Sequence, residues 1–422
     1  MKVYKFLLNT IFFFYKIFFL YSFWSIFNNI IKGLPWRLAY YDWKISTLNN
    51  RDFQDLRLKQ LLQRYFLIAN NSFSKKFGGR YLFLENYKNK KELNRQLSNV
   101  NKIPAIESIT FLKNLLNYFQ YFKNFQEYIL IRKCYRKRLI ELQMSSKNLN
   151  PDALRSCLEL DKLDLAESFI LTKKINMFNK KQILEIDNYI CLIKKINSKK
   201  FRKKNNNKDY RKYLNVIHKS SIIVKGPTAK KFFSPKQRRQ IIVQINEIKK
   251  QHKNNVISYY NGGSVERYSS DIIKVLPTLL FSCFKTKGSF YSLVFKVWRK
   301  NYKTRVYYNL KNILLNKYGA FTIQNIIYDL LMHRPKKIFL TGITFYLGEK
   351  LYEKDYIGPN VSMVHTGQAL RIHEPFSNFL FIKNLWKRGV ILVDGKLANI
   401  LKLSETDYAI KLDQKYGEII FC

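Results

Sequence analysis

The sequence is short of acidic residues, and this shortage narrows the range of partners that the protein can have. Its 422 residues include 29 aspartates and glutamates against 76 lysines and arginines, which gives a formal net charge of +47. Such an excess favours a polyanionic partner, such as nucleic acid, an anionic membrane surface or a phosphorylated substrate. The alternative is a coding bias, because an AT-rich genome also enriches Asn, Ile and Phe, which carry no charge.

Cysteines are few and are not paired in the sequence. No C-x-x-C motif occurs, so neither a zinc ribbon nor a disulfide framework is indicated, and a reducing compartment is expected. The five cysteines are Cys134, Cys157, Cys191, Cys283 and Cys422.

Long apolar runs are also rare, and the one candidate for a membrane segment is the N-terminus. From Phe6 to Ile31 the chain is mostly apolar, which is long enough for the roughly 20 residues that cross a bilayer. Lys16 lies near its middle, where a charge costs about 2.5–3.5 kcal/mol on insertion. A spanning helix, an interfacial helix and a helix packed on the next domain all remain open. We therefore expect the cytoplasmic side of a membrane, with the protein anchored or peripheral, or otherwise the cytoplasm.

The sequence divides into three regions. Residues 1–42 form the apolar segment, residues 43–204 have a basic, helical pattern, and residues 205–422 contain the chemistry. The polar, basic stretch at 194–212 is the linker that sets the last boundary. Within the helical region, Asn150 and Pro151 predict the start of a helix.

After residue 211, apolar strand patterns alternate with helical patterns. This alternation predicts an α/β fold, a Rossmann-like nucleotide-binding domain with a mainly parallel sheet. Parallel strands place their carboxyl ends at one edge of the sheet, where ligands bind. The turns at Gly226, Asn261 and Gly342 follow three of these strands, so we expect them to converge.

The turn Gly226-Pro227-Thr228 is the first candidate for binding a nucleotide. Glycine lets a ligand approach the backbone, and the N–H groups of such a turn can face an anion. Neither G-x-x-x-x-G-K-[ST] nor G-x-G-x-x-G is present, so a tight turn without a ligand is the alternative. Asn261 is a second candidate for contacting a base or sugar, although an Asn-Gly pair also forms an ordinary turn.

The stretch KKIFLTGITFYLGEKLY, residues 336–352, adds two phenols to this edge. Tyr346 and Tyr352 follow the predicted strand and are six residues apart. His373, just before a predicted helix, is the candidate general base, and His365 is the competing candidate. With 29 tyrosines in the chain, the spacing alone also arises by chance.

Taken together, these residues resemble the bacterial sialyltransferase family that uses CMP-sialic acid, typified by the Campylobacter lipooligosaccharide enzymes. The family strand reads Ile-Tyr-Leu-Ser-Gly-Ile-Asp-Phe-Tyr, and a second tyrosine follows six residues after the first, as Tyr346 and Tyr352 do here. The resemblance covers about residues 213–422 and includes the Gly-Pro-Ser turn, matched by Gly226-Pro227-Thr228, and the asparagine matched by Asn261. It implies that the tyrosines hold the departing phosphate of CMP and that His373 is the catalytic base.

Several positions depart from the family pattern. Thr344 stands where the family has aspartate, and Lys225 stands where asparagine is usual. The family's serine-glycine turn appears only around Tyr318 and Gly319. No D-x-D triplet occurs in residues 213–422, which agrees with the metal independence that the resemblance implies. The resemblance therefore implies an inverting glycosyltransferase with a CMP-linked donor, no cofactor, and a glycan or glycolipid acceptor, as in lipopolysaccharide biosynthesis.

Two rival hypotheses remain. The stretch FLFIKNLWKRGVILVDGKLANI superficially resembles the RNA-binding module of a small-subunit ribosomal protein, in which a helix leads into a glycine-bounded hairpin, and the high charge suits RNA. The other rival is a membrane-attached, non-catalytic protein with a degenerate transferase domain.

Overall fold

The computed structural model divides the chain into two compact units. One unit holds Met1–Leu142 and Tyr416–Cys422, and the other holds Gln143–Lys415. The structure describes residues 93–94, 97–98, 100, 105–121, 123–173, 180–194, 208–229, 240–246, 255–261, 269–284, 304–307, 310, 313–315, 321–349, 370 and 374–417. The apolar segment at 6–31 and the linker at 195–207 lie outside these residues.

The first unit contains a long helical stretch, whose last residues, 143–145, belong to the second unit. Two helices are present, α1 (Ala105–Tyr121) and α2 (Phe125–Ser145). The break occurs at Lys123, which has a φ of 56°, and the N–H of Asn124 donates to the carbonyl of Phe119 at 2.9 Å. A left-handed residue with this backward hydrogen bond is a common way to end a helix.

The second unit begins with three helices: α3 (Pro151–Glu159), α4 (Leu163–Thr172) and α5 (Lys180–Ile193). The predicted start of α3 is confirmed, because the side chain of Asn150 accepts hydrogen bonds from the N–H groups of Asp152 and Ala153. Pro151 occupies the first turn, where its missing N–H leaves no hydrogen bond unmade.

The end of α3 is joined to a helix near the C-terminus, α9 (Pro375–Lys387). Glu159 accepts a hydrogen bond of 2.5 Å from the hydroxyl of Ser377, and Asp161 accepts one of 2.9 Å from Nε of Arg388. Because of such contacts the compact unit begins at Gln143, well before the boundary that the sequence predicts at 204.

The prediction of an α/β fold with a parallel sheet is confirmed. Seven strands of the described residues form one sheet in the order β5-β4-β3-β2-β1-β6-β7, and every neighbouring pair is parallel. The strands are β1 (Ser221–Lys225), β2 (Gln240–Ile245), β3 (Val256–Tyr260), β4 (Phe281–Phe284), β5 (Thr304–Val306), β6 (Lys337–Thr341) and β7 (Leu392–Val393). All residues of β3 and β4 are buried, as expected for a sheet covered on both faces.

Helices connect and flank these strands. In chain order, the others described in this unit are α6 (Lys208–Ile217), α7 (Ser269–Val275), α8 (Thr322–Met332), α10 (Gly395–Lys402) and α11 (Glu405–Tyr416). The helical patterns at residues 321–332 and 378–388 of the sequence correspond to α8 and α9, and Gly389, with a φ of 65°, follows the last turn of α9. Strands β2 and β5 were not predicted.

A buried polar network joins the sheet to α8. Asp329 on α8 is fully buried and forms two hydrogen bonds with Arg305 on β5, at 2.7 and 2.9 Å. The hydroxyl of Tyr259 on β3 also donates to Asp329 at 2.6 Å, so Tyr213 on α6 is the donor in its own 2.6 Å bond to Tyr259. The network thereby fixes α8 against β3 and β5.

His333, at the end of α8, completes this network. Its Nδ1–H donates to the carbonyl of Asp329 at 2.6 Å, and its ring packs edge-on against Tyr213. Burial lowers the pKa of His333 to about 4, so the side chain is neutral near pH 7. Burial opposes the ionised form of Asp329, but the charge of Arg305 outweighs it and holds the pKa of that carboxyl below its usual value.

Among the described residues, no helix combines the length and the apolar character that a bilayer crossing requires. The membrane prediction rested on residues 6–31, which lie outside this part of the chain.

Candidate functional site

The candidate site lies where the strand order of the sheet changes direction. From β1 the chain proceeds to β2, β3, β4 and β5 on one side, whereas β6 and β7 lie on the other side of β1. In open α/β sheets the crevice at such a switch point, at the carboxyl ends of the strands, is the usual place for a ligand. Here the two strands at the switch point are β1 and β6, which are followed directly by Gly226 and Gly342.

The two glycine turns are in direct contact. The N–H of Gly226 donates to the carbonyl of Thr341 at 2.7 Å, and the N–H of Thr228 donates to the carbonyl of Gly342 at 3.1 Å. A Cβ atom on Gly226 would lie 2.3 Å from the carbonyl oxygen of Gly342, so no larger residue fits. Gly342 has a φ of 70°, and its Cβ would lie 2.2 Å from the backbone nitrogen of Ala229. Glycine is therefore required at both positions by the close approach of the two backbones.

This contact corrects one expectation about the Gly226-Pro227-Thr228 turn. The amides of Gly226 and Thr228 donate to the partner loop, and the amide of Ala229 donates to the carbonyl of Gly226 at 3.2 Å. Because Pro227 has no N–H, the turn does not present these groups to an anion as expected. Nucleotide binding by Gly226, Pro227 and Thr228 stays a prediction. Instead of the backbone amides, it would use the Thr228 hydroxyl, the backbone carbonyls of the turn or van der Waals contact with the turn.

Asp394, at the end of β7, supports the Gly342 turn and was missed in the sequence. Its Oδ2 accepts a hydrogen bond of 3.0 Å from the N–H of Gly342. Its Oδ1 accepts one of 2.8 Å from the N–H of Leu397 and so caps α10. An aspartate before Gly395 is a recognisable helix-cap signal in the sequence. Its contact with the N–H of Gly342 is not recognisable there, because it depends on the pairing of β6 with β7.

Tyr346 follows β6 on a strained turn. Phe345 has a φ of 45° and Tyr346 has a φ of 66°, a region that bulky side chains rarely occupy. Each such residue costs about 1–3 kcal/mol and persists only where the surroundings hold it. Tyr346 is half-buried, and its ring meets Phe321 edge-to-face with 5.8 Å between centroids. Strained backbone of this kind is concentrated at functional sites, which supports the choice of Tyr346 as a site residue.

Asn261 lies on the same edge of the sheet but not beside Gly226. It follows β3, which is two strands away from β1, or roughly 10 Å at the usual spacing of strands. Between them, at the end of β2, the side chain of Asn246 accepts a hydrogen bond of 3.3 Å from the N–H of Asn261. Asn246 is buried with a φ of 52° and was not singled out in the sequence, because β2 itself was missed.

Tyr352 and His373 lie outside the described residues, as does His365, so their distances from Tyr346 stay predictions. The residue after His373 is firmly held. Glu374 caps α9 by accepting hydrogen bonds from the N–H groups of Phe376 and Ser377, at 2.7 and 3.0 Å. The backbone that continues from His373 into α9 is thus fixed at Glu374.

The first turns of α8 and α9 meet at the same edge of the sheet. Asn378 on α9 accepts a hydrogen bond of 2.9 Å from the N–H of Phe321, the residue before α8. Since the Phe321 ring contacts Tyr346, the N-terminal end of α8 lies beside the strained turn. A helix N-terminus carries a partial positive charge that favours an anionic ligand group.

The two described histidines are poor candidates for a base at this site. His333 is fully buried within the polar network around Asp329. His218 is exposed after α6, just before β1 begins, and therefore lies at the opposite edge of the sheet. Within the described residues no three His, Cys, Asp or Glu side chains come together as a metal site would require, and metal independence stays a prediction.

Comparison of the chain with protein-family models, with curated proteins and with solved structures finds no match. The assignment to a function therefore depends on the residues and on the geometry described above.

Proposed function

We propose that the protein is a glycosyltransferase that moves sialic acid or a related sugar from a CMP-activated donor to a glycan or lipid-linked acceptor. The reaction would invert the anomeric centre and need no metal ion. One observation carries the proposal. The turns at Gly226 and Gly342 meet at the switch point of a parallel sheet, and Tyr346 leaves the sheet there on a strained turn.

The tyrosines would act on the leaving group. When the bond between the anomeric carbon and the phosphate oxygen breaks, CMP leaves with the electron pair and its phosphate gains negative charge. Hydroxyl groups fixed in advance lower the barrier by donating hydrogen bonds to that charge. Tyr346 and Tyr352 would serve in this way. The N-terminal end of α8 beside Tyr346 would add its partial positive charge to the same region.

His373 would act on the acceptor. Its imidazole would take the proton of the acceptor hydroxyl as the oxygen attacks the anomeric carbon from the face opposite CMP. A positioned base of this kind contributes about 10²–10⁴-fold to the rate. The fixed backbone at Glu374, the next residue in the chain, supports this role, because a base is positioned more precisely when the chain beside it is anchored.

The test of this function is ligand binding followed by transfer. At 100 times its dissociation constant, a ligand that binds only the folded state stabilises it by about 2.7 kcal/mol. CMP is expected to raise the melting temperature on the order of 5 °C, whereas UDP, GDP and single-stranded RNA raise it less. Incubation with CMP-sialic acid and a glycan acceptor in EDTA is then expected to release CMP.

The outcomes separate the rival hypotheses. A melting shift with RNA and none with CMP would favour the RNA-binding protein, and CMP binding without transfer would favour the non-catalytic one. The stretch that suggested RNA binding forms α9, β7 and α10, and β7 pairs in parallel with β6. The expected hairpin is absent from these described residues, so that resemblance is wrong at the level of structure.

We further propose that the protein attaches to the cytoplasmic side of a membrane, as an anchored or peripheral protein. Exposed cations lie at the edge of the sheet opposite the candidate site. Lys219 lies shortly before β1, Lys336 directly precedes β6, and Lys337 is the first residue of β6. The N–H of Lys336 donates to the carbonyl of Ser220. No acidic residue occurs among the described residues that start the strands. Such a surface attracts anionic lipid by about 1 kcal/mol for each nearby cation.

Vesicle binding tests this attachment. Replacing Lys219, Lys336 and Lys337 with alanine is expected to weaken binding to phosphatidylserine-containing vesicles about 100-fold, because three cations that each contribute about 1 kcal/mol are lost. The control removes the same charge from exposed lysines of α10 and α11, in Lys396→Ala, Lys402→Ala and Lys411→Ala. Equal losses in the two triple variants would show that net charge, rather than this edge, governs the binding.

A further inference from the structure

The strained turn from Phe345 to Gly348 is held by the C-terminal part of the chain. The hydroxyl of Tyr408 on α11 donates to the carbonyl of Phe345 at 2.9 Å, and Tyr408 is fully buried. Further along the same helix, Nζ of Lys415 donates to the carbonyl of Gly348. Two donors of one helix therefore bind both ends of the turn that contains Tyr346.

Aromatic packing reinforces the first of these contacts. The ring of Phe345 meets Phe379 on α9 edge-to-face at 5.6 Å, and Phe379 stacks on Tyr408 at 4.4 Å with nearly parallel planes. The side chain and the carbonyl of Phe345 are thus fixed by α9 and α11 together. A bulky residue keeps a left-handed conformation only when its neighbours hold it in this way.

The start of the same segment is also fixed by the C-terminal region. Asp394, which caps α10, accepts the N–H of Gly342 at 3.0 Å. Residues 342–348 are therefore tied by side chains of residues 394–415 at their beginning, middle and end. The next residue after Phe345 is Tyr346, whose direction depends directly on this backbone.

We infer that α11 is a positioning element for Tyr346, with Tyr408 and Lys415 as the positioning residues. They set the backbone of the turn and thereby the place of the Tyr346 hydroxyl, and neither acts on the substrate. This inference rests on the proposed function, since the tyrosine hydroxyl is taken as a donor to the leaving phosphate.

Tyr408→Phe tests the inference with the smallest possible change. It keeps the ring stacked on Phe379 and removes the hydroxyl that donates to the carbonyl of Phe345. The amide of Leu347, which donates to the carbonyl of Thr344 at 2.9 Å inside the turn, reports the conformation by hydrogen exchange. Its exchange in the free protein is expected to rise about tenfold, the usual effect of one buried hydrogen bond. The kcat for transfer is expected to fall about tenfold, while KM for the donor stays within about twofold.

Two further sets of variants guard against a general loss of stability. Tyr189 is also buried and stacks on α9, through Phe381, so Tyr189→Phe is the matched control and should change neither measurement. Lys415→Met is expected to repeat the effect of Tyr408→Phe. Lys415→Arg, which keeps a cationic donor, should restore most of the exchange protection.

The readings distinguish this inference from the proposed function. Exchange at Leu347 that is equal in Tyr408→Phe and Tyr189→Phe would overturn the positioning element, whatever the activity. Raised exchange with an unchanged kcat would likewise overturn the role in positioning Tyr346. If exchange at Leu347 rises in Tyr408→Phe but not in Tyr189→Phe, and the wild-type protein neither binds CMP nor transfers sugar, the proposed function would be wrong. The contact between α11 and the turn would still be established.

Discussion

Replacing Asp329 with asparagine is expected to lower the free energy of unfolding by about 3–5 kcal/mol, the usual result of breaking a buried ion pair. Asp329 is fully buried and forms the acceptor for both Arg305 and Tyr259. The neutral amide would leave the Arg305 guanidinium without a counter-charge in the protein interior. Desolvation makes that state far less favourable than the original pair.

The measurement is chemical denaturation at pH 8, and the pH is chosen from the titration of two neighbours. The lowered pKa of Asp329 makes its stabilisation fully present above about pH 4, the ordinary value of a free aspartate, and loses it as the pH falls further. The pKa of His333 is lowered from 6.5 to about 4, so stability falls as the pH drops through that interval. At pH 8 neither group titrates on unfolding.

Two variants make the result specific. Glu141→Gln removes a carboxylate that pairs with Lys137 at the surface, and it should cost less than about 1 kcal/mol. The double variant Arg305→Met with Asp329→Leu removes both charges, and it should be more stable than Asp329→Asn alone because no unpaired charge is left. A loss below about 1 kcal/mol in Asp329→Asn would contradict the view that this pair fixes α8 to the sheet.

The sequence predicts the parallel sheet because its central strands are apolar runs that end in turn residues. Strands β1, β3 and β6 each precede a glycine or an asparagine, and the helices between strands show helical spacing. The same reasoning missed β2, which follows a basic stretch and ends before residue 246. It also missed β5, because that strand has only three residues and an arginine at its centre. Arg305 reads as a surface residue until its partner Asp329 is known, and no local pattern links positions 24 residues apart.

In the candidate site, too, some residues could be predicted from the sequence and others could not. Glycines at 226 and 342 were chosen as turns after strands, and their mutual contact follows from the pairing of β1 with β6. The roles of Asp394 and Asn246 depend on which strands are neighbours, which is a long-range property. The positive φ angles of Phe345 and Tyr346 could not be predicted, because no glycine marks those positions and the turn is held by Tyr408 on a distant helix.

Replacing Tyr346 with phenylalanine is expected to lower kcat by about 10²–10³-fold, the usual loss when one donor to a developing anion is removed. The proposed phosphate charge appears only as the sugar–phosphate bond breaks, so the hydroxyl stabilises the transition state more than the bound donor. The donor KM should therefore change little. The phenyl ring keeps the contact with Phe321, and the fold should be unaffected.

Tyr307→Phe is the control for losing a tyrosine hydroxyl near the sheet. Tyr307 is buried after β5, and its hydroxyl makes no hydrogen bond in the part of the chain that the structure describes. Its removal should leave kcat at the wild-type value. Steady-state release of CMP from the sugar donor measures both variants, with melting temperatures to confirm that they are folded. A Tyr346→Phe enzyme with wild-type kcat would show that this hydroxyl does not stabilise the leaving group, since a fixed donor to a developing phosphate charge cannot be removed without slowing the bond cleavage.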